Sequence, residues 1–226
     1  MLSRLVTTAL FAGFLTGIAA AVLQFWLVQP LLLHAELYEG GDIIHFGPDA
    51  ENASAHQALP GFEAARDGLS VLFTALIYTG YAFILTAAMA LASERGIAIT
   101  ARQGVVWGLA GFAAVQLSPA MGLPPEVPGA ASADVGPRQV WWFATVLVTA
   151  VGLAMIAFGR NAVMLIAGVV LIALPHLIGA PEPDAFAGPT PPELAAHFAA
   201  NALGVGLAAW AILGTLTAFF WNRETA

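Results

Sequence analysis

Six stretches of this chain contain no Asp, Glu, Lys or Arg: residues 5–35, 68–93, 103–125, 139–159, 161–181 and 194–222. A helix needs about 20 apolar residues to cross a hydrocarbon core, and each stretch is long enough to hold one. A charge at the bilayer centre costs on the order of 2.5–3.5 kcal/mol on insertion scales, so runs without charge are what spanning segments require. Composition agrees. Only 9% of the 226 residues are charged and 59% are hydrophobic, whereas soluble domains carry about 25% charged residues. The expectation is an all-α polytopic membrane helix bundle, a single domain over residues 1–226. Its six transmembrane helices are expected at 6–28, 69–92, 104–121, 140–158, 162–179 and 197–220, with a long outer loop at 29–68. Arg4, the apolar stretch after it and the alanines at 19–21 imitate a cleavable signal peptide. The apolar run continues well past Ala21, which favours a retained first span.

Orientation follows from the seven arginines, because cytoplasmic loops carry the excess of positive charge. Arg4, Arg95, Arg102, Arg160 and Arg223 fall on one side, and only Arg66 and Arg138 on the other. Both termini are therefore expected in the cytoplasm. Twelve of the fourteen acidic residues then face outward, with only Glu94 and Glu224 inside. All five histidines (His34, His45, His56, His176 and His197) and all 14 prolines also fall at or beyond the outer ends of the spans. Trp26, Trp141 and Trp142 mark the outer interface and Trp107 and Trp221 the inner one, while Trp210 falls mid-span and outside this belt. Gly13 and Gly17, and Gly104, Gly108 and Gly111, are expected to form faces for close helix contact.

Several functions are excluded early. The chain has no cysteine, which removes disulfides, iron–sulfur clusters and thiolate metal sites. It has no lysine, which removes a P-loop. The net charge of −7 argues against nucleic acid and suits cations. No HExxH pair and no nucleophile–base arrangement is visible, so the chain does not read as an enzyme. No resident cofactor is expected.

The outer face carries the candidate chemistry. The stretch "LLLHAELYEGGDIIHFG" at 31–47 sets His34, Glu36, Glu39, Asp42 and His45 close together. Neutral imidazole and carboxylate are the natural ligands of divalent first-row metals, although a solvated acidic loop has the same composition. Gly40 and Gly41 make a long helix there unfavourable. In "GPTPPELAAHFAAN" at 188–201, Thr190, Pro191 and Glu193 read as a capping box. Glu193, His197 and Asn201 follow at i, i+4 spacing as one polar stripe. That stripe is either a metal path or a snorkelling histidine beside an asparagine that bonds a neighbouring helix. In "ALPHLIGAPEP" at 173–183, Pro175 loosens the helix beside His176, and Gly179 ends it. Residues 115–145 hold a Pro- and Gly-rich segment that cannot be regular, preceded by Gln116. Arg138 follows it and is positioned to clamp an outer carboxylate.

The runs "AELYE" (35–39), "LSPAMGLPPEVPGA" (117–130), "RQVWW" (138–142) and "PHLIGAP" (175–181) resemble the motifs of the CbtA family, in the same order and over nearly the whole chain. Members are described as predicted cobalt transporter subunits with five spans and a more histidine-rich first outer loop than this one. The resemblance implies a bacterial or archaeal inner-membrane protein that serves cobalt uptake for cobalamin synthesis. It also implies a small one-span, histidine-bearing partner subunit, CbtB. On this reading Glu36 and Glu39, with His34 and His45, capture Co²⁺, and His176, Glu193 and His197 pass it towards the bundle. The alternative is a non-transporting accessory or assembly membrane protein.

Overall fold

The structure is a computed structural model that describes residues 1–47 and 58–223; His56 and Glu224 lie outside the described residues. All regular structure among the described residues is helical: α1 (Leu2–Leu27), α2 (Gln29–Glu39), α3 (Ala64–Glu94), α4 (Ala101–Phe112), a π-helical turn (Ala113–Leu117), the single turn α5 (Ser118–Ala120), α6 (Val135–Phe158), α7 (Ala162–Ile178) and α8 (Pro192–Arg223). Every expected span coincides with helix. Four of these helices, α1, α3, α6 and α8, are long and apolar enough to cross a membrane. The other two expected spans differ for separate reasons. Residues 104–121 are divided by the π turn. Helix α7 has 17 residues, about 26 Å at 1.5 Å per residue, slightly short of a ~30 Å core.

Two local expectations need correction. The segment expected to be the first outer loop opens with a helix, α2, because Pro30 sits in its first turn, where a missing N–H is harmless. It ends where expected, at Gly40 and then Gly41, whose φ of 79° suits glycine. The capping box at Thr190 is not formed: α8 begins at Pro192, and the Thr190 hydroxyl instead donates to the Pro128 carbonyl at 3.4 Å. A neighbouring loop, rather than the helix end, takes up that hydroxyl.

The chain divides into two compact units. One comprises Met1–Trp26, Gly61–Phe112 and Gly204–Ala226; the other comprises Leu27–Pro60 and Ala113–Leu203. In the first unit, the glycines act as expected. A Cβ at Gly13 would overlap the Thr79 backbone, and one at Gly17 the Ala75 backbone, so α1 lies directly on α3. Helix α4 meets α8 in the same way, with Gly104 against Gly214 and Gly108 against the Trp210 carbonyl. Gly111 leaves room for the Trp210 ring. This explains why Trp210 is mid-span: it is a core residue, 3% exposed, stacked on Tyr81 at 4.9 Å. Side chains tie the helix ends, with Asn222 Nδ2 donating to the Ile99 carbonyl at 2.7 Å and the Arg4 guanidinium donating to the Trp221 carbonyl.

In the second unit, α6 and α7 pack through Gly152 and Gly168. Helix α2 buries Ala35 against Val127 and Phe198, with Leu31 and Leu194 beside them. The Pro-rich loops are joined to each other by a bond from the Ala131 N–H to the Ala187 carbonyl at 3.1 Å. Arg138 clamps Glu126 at 2.6 Å, as expected; being partly exposed, this pair contributes at most about 1 kcal/mol. Trp141 is not an interfacial anchor. It is 9% exposed, and its indole N–H donates to the Pro175 carbonyl at 3.3 Å.

Candidate functional site

Helix α2 presents the 34–45 cluster in two parts. Glu36 and Glu39 lie on its exposed face, while Leu33, Ala35 and Tyr38 are buried. Tyr38 is the organising ring: His34 stacks on it at 5.5 Å, and His45, beyond the Gly40–Gly41 turn, meets it edge-on at 6.2 Å. The His34 Nε2 is covered and has no hydrogen-bond partner. Burial disfavours its charged form and holds the imidazole below the usual 6.5. A neutral imidazole with a free nitrogen can ligate a metal.

A folded-state pKa below the unfolded value sets the sign of the pH effect. The contribution of His34 is complete above about 6.5 and is lost as pH falls below it. The protection of amides across 29–39, after correction for the intrinsic slowing of exchange at lower pH, is therefore expected to fall as the pH drops below about 6.5, and His34→Phe should abolish that fall.

The second cluster lies where the helices depart from regularity. Pro119 has no N–H and its ring crowds the carbonyl four residues back. The widened π turn just before it accommodates both effects. Ser118 follows that turn. Its hydroxyl is 3.1 Å from His176 Nε2 on α7 and 3.0 Å from the Thr149 hydroxyl on α6. Trp141 closes the group, its ring 6.1 Å from the imidazole. In the tautomer whose Nε2–H donates to Ser118, the His176 Nδ1 keeps a lone pair, and an imidazole oriented through its other nitrogen is how proteins present a metal ligand. Gln116, on the π turn, has a buried Oε1 without a partner.

The stripe on α8 separates by role. Glu193 and His197 are exposed. Asn201 donates from Nδ2 to the Leu27 carbonyl at 2.7 Å. That carbonyl needs a donor because Leu31, its partner in a regular helix, bonds Val28 at 3.1 Å instead. Asn201 is thus the asparagine that bonds a neighbouring element, and the α1–α2 joint is what it secures. Asn201→Leu should lower the thermal midpoint by an amount worth about 0.5–1.5 kcal/mol, the net contribution of one such hydrogen bond. A midpoint unchanged in detergent would contradict this role.

Among the described residues, no three His, Asp or Glu side chains converge on one point. The structure brings His34 and His45 to Tyr38, and His176 to Ser118 and Thr149. It leaves Glu36, Glu39, Glu193 and His197 exposed and apart from those contacts. Sequence reasoning missed Ser118 and Thr149. The Ser-Pro pair inside an apolar run was the available signal for Ser118; Thr149 gave none. It also missed Asp67, which is 2% exposed. Asp67 accepts from the Glu63 N–H at 2.9 Å and pairs with Arg66 at 2.8 Å, securing the start of α3.

Residues 2–222 match the family described as "Probable cobalt transporter subunit (CbtA)". The chain belongs to the CbtA family. Comparison with curated proteins and with solved structures gave no match. CbtA membership together with four apolar helices makes the chain a multi-pass membrane protein of a transporter-subunit family. A CbtA subunit implies a metal ion as substrate and further subunits as partners.

Proposed function

We propose that this chain is the membrane subunit of a Co²⁺ uptake transporter in the inner membrane of a bacterium or archaeon. Its 226 residues act as one membrane domain of six spans with both termini in the cytoplasm. Segment 101–120 and the shorter α7 serve as the two spans beyond the four long helices. The observation that supports the reading is His176, whose Nε2 lies 3.1 Å from the Ser118 hydroxyl, itself 3.0 Å from the Thr149 hydroxyl; its Nδ1 is the nitrogen we assign to the ion. His34, His45, Glu36 and Glu39 form the outer capture surface, and His176, with Glu193 and His197, receives the ion. A small one-span, histidine-bearing subunit supplies the further donors that a closed coordination shell needs, since this chain brings no three together among its described residues.

The test is uptake of radioactive Co²⁺ by cells expressing the chain with its partner, compared with a variant carrying Ala at His34, Glu36, His176 and His197. Uptake falling to background in the variant, at equal membrane level, supports these residues. Undiminished uptake removes them. Uptake that never exceeds the empty host favours the accessory or assembly role.

A further inference from the structure

Trp141, on α6, makes two contacts with the same short stretch of α7. Its indole N–H donates to the Pro175 carbonyl at 3.3 Å, and its ring meets the His176 imidazole edge-on, 6.1 Å between centroids. That carbonyl belongs to the peptide bond joining Pro175 to His176, so the indole reaches His176 through both backbone and side chain. The helix itself is weak there. Pro175 has no N–H, which leaves the Leu171 carbonyl without its helical partner, and α7 ends at Ile178. The Gly179 N–H bonds the Pro175 carbonyl at 3.0 Å, and the indole takes that oxygen's second lone pair.

The Trp141 ring is fixed in turn by the segment that carries Ser118. A Cβ at Gly122 would lie 2.8 Å from Trp141 Cη2 and 2.7 Å from the Ala180 Cβ. The edge of the indole therefore rests on the Gly122 backbone, where any larger residue would displace it. Gly122 is tied to the Ser118 turn: the Met121 N–H bonds the Ser118 carbonyl at 3.2 Å, and the Gly122 N–H the Pro119 carbonyl at 3.1 Å. The Ser118 hydroxyl, at the other end of that turn, is 3.1 Å from His176 Nε2. Turn 118–122, Trp141 and His176 thus contact one another pairwise.

We propose that Trp141 is a positioning residue for His176, and that Gly122 supplies the space its ring needs to act as one. The two nitrogens of an imidazole are distinct, and which of them carries the proton depends on what the ring is held against. One hydrogen bond to Ser118 leaves the ring free to turn about that contact. The indole removes this freedom, through the peptide bond before His176 and through its edge-on contact with the ring; such support is what holds a binding group to one geometry. The consequence for Co²⁺ rests on the reading of His176 as a ligand, whereas the placement of the imidazole does not.

The test reads the imidazole first without metal and then with it. The full-length chain is labelled with ¹⁵N-histidine and reconstituted in nanodiscs. Its ring ¹⁵N resonances report the tautomer, and His176→Gln identifies those of His176. Trp141→Phe keeps an aromatic ring and removes the N–H, while Gly122→Ala keeps the indole and displaces it. Trp142→Phe is the matched control, because Trp142 is partly exposed and its ring meets Phe143, at 5.0 Å. Each of the first two variants should turn a single His176 tautomer into a mixture. Each should also weaken Co²⁺ binding about tenfold, the lower end of what losing an orienting partner costs. The control should do neither. A His176 tautomer unchanged in either folded variant overturns the inference, even where the thermal midpoint has fallen, since that fall alone marks a packing role. A changed tautomer with Co²⁺ affinity intact upholds the inference and removes His176 as a ligand.

Discussion

Ser118→Ala is expected to weaken Co²⁺ binding about tenfold, at the lower end of what removal of an orienting partner costs, and His176→Ala to weaken it further. Both variants should reach the membrane at the normal level. Ser118 holds His176 Nε2 at 3.1 Å and is itself held by Thr149. Removing the hydroxyl frees the imidazole to rotate and to change tautomer, so Nδ1 is no longer presented. Thr149→Val should have a smaller effect in the same direction, because it acts through Ser118. Ser118→Thr should restore part of the affinity, which a merely structural role for that hydroxyl would not require. Titration of purified protein with Co²⁺, read by its d–d absorption, checks the series. Equal affinities for wild type and His176→Ala would show that His176 is not a ligand.

Gly108→Leu is expected to eliminate folded protein from the membrane. Any Cβ at Gly108 meets the Trp210 carbonyl, which is backbone and cannot rotate away. Gly214 meets Gly104 and Gly108 across the same contact, so α4 and α8 cannot separate locally without losing the packing of Trp210 on Tyr81. Overpacking a side chain typically costs about 1–3 kcal/mol; collision with backbone puts this change above that range. Between membrane helices, van der Waals packing is a principal source of cohesion, so there is little to offset the loss. Gly80→Leu is the matched control, since a Cβ there meets nothing within 4 Å. Its yield should stay near wild type. Size-exclusion profiles of the two variants in detergent, with equal monodisperse peaks, would contradict the account of this contact.

What the sequence made legible was what repeats or is local. Long runs without charge located the helices, because one buried charge would have been costly anywhere within them. Glycine spacing located the α1 and α4 contact faces, because close approach requires the absence of a side chain. Ends at Gly40–Gly41 and Gly179 were legible from backbone preference alone. Other features depend on distant partners. His176 was visible as a histidine beside a helix-loosening proline, but its holders lie 58 residues away at Ser118 and, through Ser118, on Thr149. Trp141 and Trp142 are identical by composition, and only the fold decides that Trp141 turns inward to the Pro175 carbonyl. Thr190 had the right neighbours for a cap, yet a loop 62 residues away takes up its hydroxyl. Asn201 in the polar stripe was ambiguous until the α1–α2 joint exposed a carbonyl in need of a donor.

The most direct measurement is cellular metal content by mass spectrometry, in a host lacking its own cobalt and nickel importers. It compares cells carrying the chain alone, the chain with its one-span partner, and the Glu36→Ala/His176→Ala variant with that partner. The account predicts that cobalt rises with the intact chain and its partner and returns to the host's level in the variant. No rise in any metal, with the protein confirmed in the membrane, would contradict it.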